Sequence, residues 1–339
     1  MPSCDRKFGF STGAIAKGDF ELAIEVIKRA GLAVVELSAL REYELPKLMG
    51  ALSNLDLSSF EYVSIHAPSR LSELSERDVV QLLGGAIKKE IPIVLHPDTI
   101  EDPAEWCKFG SFLLIENLDK RNSAFRTTRE LHEVFARFPD AQFCLDVAHA
   151  RQVDPTMGEA TQMLRAFGSR LRQVHASGLN SNSTHGPLSS AASWAFSQIS
   201  HLIPQDVPII LESPVSEQAL GEELSFARRA FSPWLQRLRA EIDDVFDLKV
   251  AGFRHQQITS FLCLLHETGT KLSDFEHVIR QLPTGGAYKT GDMFLSTVDL
   301  LQRLSDTERA DLQEYFLDRV SKVAKHFPEL PKQFKQQFS

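Results

Sequence analysis

The chain has 339 residues, of which 43% are hydrophobic and 24% charged, a composition typical of a globular protein with a large core. Its formal net charge of −8 at pH 7 argues against a broad basic surface for nucleic acid, although a local basic rim or bound cations can offset it. Four cysteines without a CxxC pair argue against a disulfide framework or a cysteine zinc site. No signal-peptide core and no apolar run of roughly 20 residues is found, which predicts a cytoplasmic protein without a membrane segment.

Short apolar strands alternate with helical patterns over the first 245 residues. The expected strands are 8–11, 33–37, 62–65, 91–95, 112–115, 143–145, 171–174 and 207–211. The expected helices are 20–31, 42–55, 77–89, 127–138, 158–167 and 217–245. Apolar strands that alternate with helices indicate a parallel sheet covered on the outside.

Eight strand–helix units in roughly 245 residues have the size of a (β/α)8 TIM barrel. We therefore assign residues 1–245 to an α/β barrel. A doubly wound open sheet is the alternative, and no GxGxxG follows any strand to support its dinucleotide-binding form. From residue 246 the pattern is helical without strands, so residues 246–339 are predicted to form an all-helical extension that binds a protein partner or mediates oligomerisation.

Residues of metal-ligand type stand at or near the ends of seven predicted strands, and two more follow in loops. They are Glu36, His66, His96, Glu116, Asp146, His175 and Glu212, with His149 and His185 in the loops. In a (β/α)8 barrel the carboxyl ends of the strands meet at one mouth, so these residues would share one site. Mixed imidazole and carboxylate ligands suit zinc, manganese or ferrous iron.

Each of these residues also has an ordinary structural interpretation when it is considered alone. Asp146 could cap a helix with His149 in its first turn, and His185 could be solvated in its Ser/Asn-rich loop. Glu36 is the weakest candidate, because a structural hydrogen bond explains its position as well as a contact with substrate does. The joint pattern favours a site, and the histidines in helical segments are assigned structural roles: His132, His201, His255, His266, His277 and His326.

The segments around the candidate ligands resemble one protein family. They are Ser-Ile-His-Ala-Pro at His66, Val-Leu-His-Pro-Asp at His96, Ile-Glu-Asn at Glu116, Leu-Asp-Val-Ala-His at Asp146 and His149, Gln-Val-His-Ala-Ser at His175, and Leu-Glu-Ser-Pro at Glu212. As an ordered set they resemble the xylose isomerase-like TIM barrels, and most closely the endonuclease IV branch, AP endonuclease family 2. The resemblance covers about residues 7–240. The stretch Glu-Asn-Leu-Asp-Lys from Glu116 also resembles the related UV-damage endonucleases.

This resemblance implies two or three divalent metal ions in the barrel mouth, with Zn²⁺ expected first and Mn²⁺ or Fe²⁺ as alternatives. The implied ligands are His66, His96 and Glu116 for the first ion, the bridging Glu116 with Asp146, His175 and Glu212 for the second, and His149 and His185 for a third. The family carries Asp-Arg-His in the seventh loop, where this chain has Ser183-Thr184-His185. The third site has therefore lost its carboxylate.

The leading functional hypothesis is a metal-dependent hydrolase of phosphodiester bonds in damaged DNA. Glu116 would bridge two ions, Glu212 would orient or deprotonate the attacking water, and His149 would contact a third ion or the phosphate. The alternative is a sugar or sugar-phosphate isomerase or epimerase with a single divalent ion, in which Glu116 and Glu212 move a proton. His66 and His96 would be spare in that mechanism, so their presence favours the hydrolase.

Two further hypotheses stay open at the level of sequence. A partner-binding or regulatory protein could have kept the metal site, and an oxidative iron enzyme would use the same ligand types. The expected substrate is accordingly DNA or a small phosphorylated sugar. Basic side chains near predicted strand ends could contact its phosphate or simply be solvated: Arg70, Lys120, Arg121 and Arg151.

Overall fold

In the computed structural model, which describes residues 6–231, eight parallel strands close into a barrel. The strands are β1 (Phe8–Ser11), β2 (Val34–Ser38), β3 (Tyr62–His66), β4 (Ile93–Leu95), β5 (Leu113–Glu116), β6 (Gln142–Asp146), β7 (Leu171–Ala176) and β8 (Ile209–Leu211). Each strand pairs with its neighbours in sequence, and β1 pairs with β8 to close the ring. The predicted barrel is therefore confirmed, and the open doubly wound sheet is excluded.

Ten α-helices belong to the described part of the chain. They are α1 (Thr12–Ala16), α2 (Phe20–Arg29), α3 (Glu44–Ala51), α4 (Glu76–Ile87), α5 (Pro103–Trp106), α6 (Thr128–Arg137), α7 (Val147–Val153), α8 (Gly158–Phe167), α9 (Ser190–Ser197) and α10 (Leu220–Phe231). Six of them correspond to predicted helices. The sequence analysis missed α1, α5, α7 and α9, because elements of four to eight residues are too short to show a clear helical period.

The helices that flank the middle of the barrel begin at capping boxes. Ser75 accepts a hydrogen bond from the amide of Asp78 at the start of α4, and the Asp78 carboxylate accepts one in return from the amide of Ser75. Thr127 and Glu130 form the same reciprocal pair at the start of α6. Each box satisfies amides that the first turn leaves without a partner, which sets where the helix begins.

The main apolar core lies between the strands and the helices. Phe143 of β6 is fully buried there, and its ring centroid lies 6.0 Å from that of Phe135 in α6 and 5.8 Å from that of Phe167 in α8. Such aromatic pairs bury a large apolar area in an edge-to-face arrangement. The outward-facing residues of the strands therefore hold the helices against the barrel.

A smaller apolar cluster fills part of the barrel interior. It consists of Val94, Leu114 and Cys144, all completely buried. Because successive strand residues point to opposite faces, the residues two positions further along each strand point the same way. Those residues are His96, Glu116 and Asp146. The alternation that builds the core thus also directs polar side chains into the mouth of the barrel.

Arg6, the first described residue, connects the start of the barrel with its last segments through hydrogen bonds. Arg6 donates from Nε to the carbonyl of Phe231 at 3.1 Å and from its other nitrogens to the carbonyls of Pro204 and Ile203 at 3.0 Å. Its burial lowers the pKa of the guanidinium to about 10.

Within residues 6–231, no helix has the length and apolar character that crossing a membrane requires. The predicted boundary at residue 245 and the helical extension lie outside the described residues.

Candidate metal centre

The barrel mouth brings together all eight side chains that the sequence analysis proposed as metal ligands, and we call this group the candidate metal centre. Three of them are the last residues of β3, β5 and β6, namely His66, Glu116 and Asp146, and two directly follow β4 and β8, namely His96 and Glu212. His175 lies near the end of β7, and His185 lies in a short hairpin after that strand. His149 lies in the first turn of α7. Their common position follows from the parallel direction of the strands.

Glu116 lies at the middle of this group and faces four imidazoles. Its Oε2 atom is 3.1 Å from Nε2 of His66 and 3.4 Å from Nε2 of His96. Its Oε1 atom is 3.4 Å from Nδ1 of both His149 and His175. Each carboxylate oxygen therefore faces a different pair of histidines.

Glu212 extends the group toward the open side of the mouth. Its Oε1 atom is 3.6 Å from Nδ1 of His175, and its Oε2 atom is 3.6 Å from Nδ1 of His185. The side chain of Glu212 is 11% exposed, that of His96 19% and that of His185 31%, whereas the side chain of Glu116 is only 1% exposed. The centre is therefore open to solvent at these three residues.

The two oxygens of the Asp146 carboxylate have different surroundings. Oδ1 accepts a hydrogen bond from the amide of His149 at 2.7 Å and caps α7. Oδ2 lies 3.5 Å from Nδ1 of His149 and has no hydrogen-bond partner, although it is completely buried. The helix-capping interpretation and the ligand interpretation of Asp146 are thus compatible, because each uses a different oxygen.

Unpartnered buried atoms show that the residues fit a divalent cation. Nδ1 of His175 is, like Oδ2 of Asp146, buried without a hydrogen bond. Such atoms are costly to bury unless they are paired or bind a metal. Groups with one potential ligand atom per residue, all within 4.8 Å of one another, are His66/Glu116/His175, Glu116/Asp146/His149 and Glu36/His175/Glu212. The donor set of imidazoles and carboxylates suits zinc, manganese or ferrous iron.

Hydrogen bonds behind the histidines orient their rings. Nδ1 of His66 lies 2.7 Å from the carbonyl of Ala67, and Nδ1 of His149 lies 3.0 Å from the carbonyl of Asn117. Since a carbonyl can only accept, these nitrogens carry protons, and Nε2 is the atom of each ring that is left for a cation. In His66 this Nε2 atom lies 3.1 Å from Oε2 of Glu116. Bonds of this kind behind metal-binding histidines also raise their basicity.

Glu36 holds His175 in the same way from deeper in the barrel. It is completely buried, and its Oε2 atom accepts from Nε2 of His175 at 2.9 Å and from Nε2 of Gln173 at 2.6 Å. Gln173 in turn accepts from the hydroxyl of Tyr62 at 2.9 Å. The structural hydrogen bond expected for Glu36 is therefore present, and it leaves Nδ1 of His175 for the centre.

Sequence reasoning missed two residues that support the centre. Gln173 lies two positions before His175 on β7, so strand alternation alone would have placed both on one face. Asn117 follows Glu116, and its side chain donates to the carbonyl of Asp146 at 2.9 Å and accepts from its amide at 2.8 Å. Asn117 thereby fixes the end of β6, and nothing in its sequence position indicates this contact.

Burial and neighbouring charges shift the pKa values of the group. Burial alone would raise the pKa of Glu116, but His175 and His96 outweigh it and hold that pKa well below its usual range. Burial opposes protonation of His66, whose hydrogen bond to Glu116 nevertheless raises its pKa to about 9. Burial raises the pKa of Asp146, and the charges of Glu212 and Glu116 raise it further. The carboxylates thus create a site that attracts positive charge.

The third metal position that the resemblance implies would be formed by two imidazoles. The ring centroids of His149 and His185 are 5.8 Å apart, and Nδ1 of His185 lies 2.9 Å from the hydroxyl of Ser177. Ser183 is buried and donates to Oε1 of Gln152 at 2.5 Å. The seventh loop therefore supplies no carboxylate to this position.

The comparisons with known proteins concern the barrel. The chain is similar to endonuclease IV from Thermus thermophilus, at 22% identity and a TM-score of 0.43 over 68% of this chain and 99% of that one. It is also similar to L-ribulose 3-epimerase, at 13% identity and a TM-score of 0.43 over 70% of this chain and 98% of that one. The similarity to SacUVDE has 14% identity and a TM-score of 0.37 over 57% of this chain and 78% of that one. No protein-family model and no curated protein matches the sequence. The fold assignment rests on the closed barrel itself.

Proposed function

We propose that this protein is a metal-dependent hydrolase of phosphodiester bonds, similar to endonuclease IV, whose substrate is DNA with an abasic or otherwise damaged site. Its centre would hold two or three divalent ions, with zinc expected first. The ligands would be the eight residues of the candidate metal centre, and Glu116, Glu212 and His149 would form the catalytic set. The ordered sequence motifs around these residues support the proposal.

The observation that carries the proposal is the position of Glu116. One carboxylate oxygen faces His66 and His96, and the other faces His149 and His175. A site for one ion needs neither this division nor the first pair of histidines. A pair of ions bridged by a carboxylate is the arrangement that stabilises both the attacking and the leaving oxygen of an in-line displacement.

The protein's own groups have separable tasks in this reaction. Divalent ions in the centre would supply Lewis-acid activation of water and of the phosphoryl oxygens. Glu212 lies at the exposed edge, where its carboxylate can orient a water molecule or accept its proton. Nδ1 of His149 bonds to the carbonyl of Asn117, so the Nε2 atom of this ring would contact a third ion or the phosphate itself. The buried Glu36 and Asn117 would hold the ligands in place.

The alternative function is an isomerase or epimerase of sugars or sugar phosphates. It needs one divalent ion, and its four ligands, Glu116, Asp146, His175 and Glu212, all lie in the mouth. Glu116 and Glu212 would then move a proton on a carbon next to a carbonyl. Elemental analysis of the purified chain separates the two, because about one ion per chain favours the isomerase and two or three favour the hydrolase.

Cleavage of an abasic-site duplex by the Glu116→Gln variant tests the proposal. The substitution keeps the size of the side chain but removes the charge that two ions would share, so metal-dependent cleavage should be abolished. Glu133→Gln, an exposed change on α6, is the matched control and should cleave like the wild type. Circular dichroism establishes that both variants are folded. Unchanged cleavage by Glu116→Gln would refute the proposed mechanism.

A further inference from the structure

A cavity of about 240 Å³ lies beside the candidate metal centre. Its lining includes Lys120, Arg151, Gln152, Ser177 and Asn180. It adjoins the centre at two points, because Ala148 of the lining directly precedes His149 and the hydroxyl of Ser177 lies 2.9 Å from Nδ1 of His185. The cavity and the centre are therefore neighbours at the mouth of the barrel.

The charge of the cavity is positive and uncompensated. Lys120 and Arg151 are the two charged residues of the lining, which contains no carboxylate. Within residues 6–231, neither side chain forms a hydrogen bond or an ion pair. The neighbouring Arg121 differs, since its guanidinium contacts the buried Asp119 carboxylate at 2.6 and 2.9 Å. Of these adjacent cations, the two that lack a partner are the two that face the cavity.

The loop that completes the lining is held rigidly. Nε2 of Gln152 donates to the carbonyl of Asn180 at 2.7 Å, and its Oε1 atom accepts from the hydroxyl of Ser183. The side-chain oxygen of Asn180 accepts from the amides of residues 182 and 184. These bonds connect the loop of Asn180 to α7, so the two cations line a preformed space.

Unpaired lysine and arginine beside polar side chains are suited to a phosphate group. The arginine fork can bind two phosphate oxygens at once, and the lysine adds a mobile point charge. The cavity is smaller than typical ligand pockets of roughly 300–1,000 Å³, a size that suits one phosphate and the sugar that carries it.

We infer that this cavity binds a second phosphate ester of the substrate, through Lys120 and Arg151, while the reacting phosphate or sugar occupies the candidate metal centre. The inference deepens the proposed function and in part rests on it. The shared chemistry is a phosphate carried by a pentose, either the next phosphate of a nucleic acid strand or that of a free sugar phosphate. In the first case the protein binds two phosphates of one nucleic acid strand and not a single isolated diester.

The test compares a double variant, Lys120→Ala/Arg151→Ala, with two controls. Lys120→Arg/Arg151→Lys keeps both charges in the cavity. Lys88→Ala/Lys89→Ala removes the same charge from the exposed C-terminal end of α4. Binding of a fluorescein-labelled abasic-site duplex is measured by anisotropy over a series of salt concentrations, and binding of ribose 5-phosphate is measured by calorimetry. Cleavage of the duplex is compared with that of bis(4-nitrophenyl) phosphate, which has a single phosphodiester.

For a strand phosphate, we expect the alanine double variant to bind the duplex roughly tenfold more weakly. The plot of the logarithm of the association constant against the logarithm of the salt concentration should become less steep by about 0.9, as for the loss of one phosphate contact. KM for the duplex should rise while cleavage of bis(4-nitrophenyl) phosphate stays unchanged. Weaker binding of ribose 5-phosphate alone would support the cavity with a free sugar phosphate as its ligand.

Two results would overturn the inference. One is unchanged binding of both the duplex and ribose 5-phosphate by the alanine double variant. The other is an equal loss in Lys88→Ala/Lys89→Ala, which would show a general effect of net charge. Failure of the proposed function looks different, because the wild type would then cleave neither phosphodiester substrate while the double variant would still lose phosphate binding.

Discussion

Replacing Glu36 by Gln tests whether a buried carboxylate prepares His175 for metal binding. Oε2 of Glu36 accepts from Nε2 of His175 at 2.9 Å and from Nε2 of Gln173 at 2.6 Å, and Oε1 is buried without a partner. This carboxylate keeps the proton of His175 on Nε2. It thereby leaves the unpartnered Nδ1 atom with a lone pair for a cation.

The magnitude follows from what each substitution removes. Losing the partner behind a metal-binding histidine typically costs about 10–100-fold in metal affinity, or ~1.4–2.7 kcal/mol. In Glu36→Gln the amide oxygen can still accept from His175 and Gln173, so mainly the charge is lost and we expect about tenfold. Glu36→Ala removes the acceptor as well, and we expect its loss to lie closer to 100-fold.

The assay is a competition titration of the full-length chain with Zn²⁺ and a chromophoric chelator. Thermal unfolding of the metal-free variants shows whether they are folded before affinity is compared. Ser64→Ala is the control, because Ser64 contributes only a 3.4 Å contact to the same Glu36 oxygen and should change affinity little. Wild-type affinity in both Glu36 variants would refute the orienting role of this carboxylate.

Three further predictions follow from the structure. Phe143→Ala empties a fully buried site, so chemical denaturation should show a loss of about 3–5 kcal/mol in unfolding free energy, against less than ~0.5 for the half-exposed Leu22→Ala. Hydrogen bonds from the Ser72 hydroxyl and from the amides of residues 72–74 lower the pKa of Glu42 from 4.5 to about 2. Hydrogen exchange should therefore show full protection of these amides above pH 4.5 and declining protection as the pH falls toward 2. Glu42→Gln should lose this pH dependence, and an unchanged profile would contradict the assignment. Ser183→Asp suits the left-handed backbone at that position (φ 55°) and places a carboxylate in the loop that carries His185, so elemental analysis should find one more metal ion per chain than in the wild type or Ser183→Asn. Equal counts would exclude a recoverable third site.

The strands and their polar ends were accessible from the sequence alone. The predicted strands are three to five residues long, and seven of the eight end near a His, Asp or Glu. They reveal both the parallel barrel and the face that carries chemistry, because parallel strands share the direction of their carboxyl ends. His66, Glu116 and Asp146 are the last residues of their strands in the structure, one position after the predicted apolar run ends. The short helices were not accessible, since α1 and α5 span fewer than two turns.

Only the tertiary structure decided which of these side chains meet and which atoms they use. Glu36 and His175 are 139 positions apart, and their hydrogen bond depends on the register with which the barrel closes, which no local pattern encodes. The same closure divides Glu116 between two pairs of histidines. It also places the uncompensated charges of Lys120 and Arg151 beside the centre. Residue type and alternation determine which side chains face inward, whereas the partner across the barrel is set by strand stagger and packing.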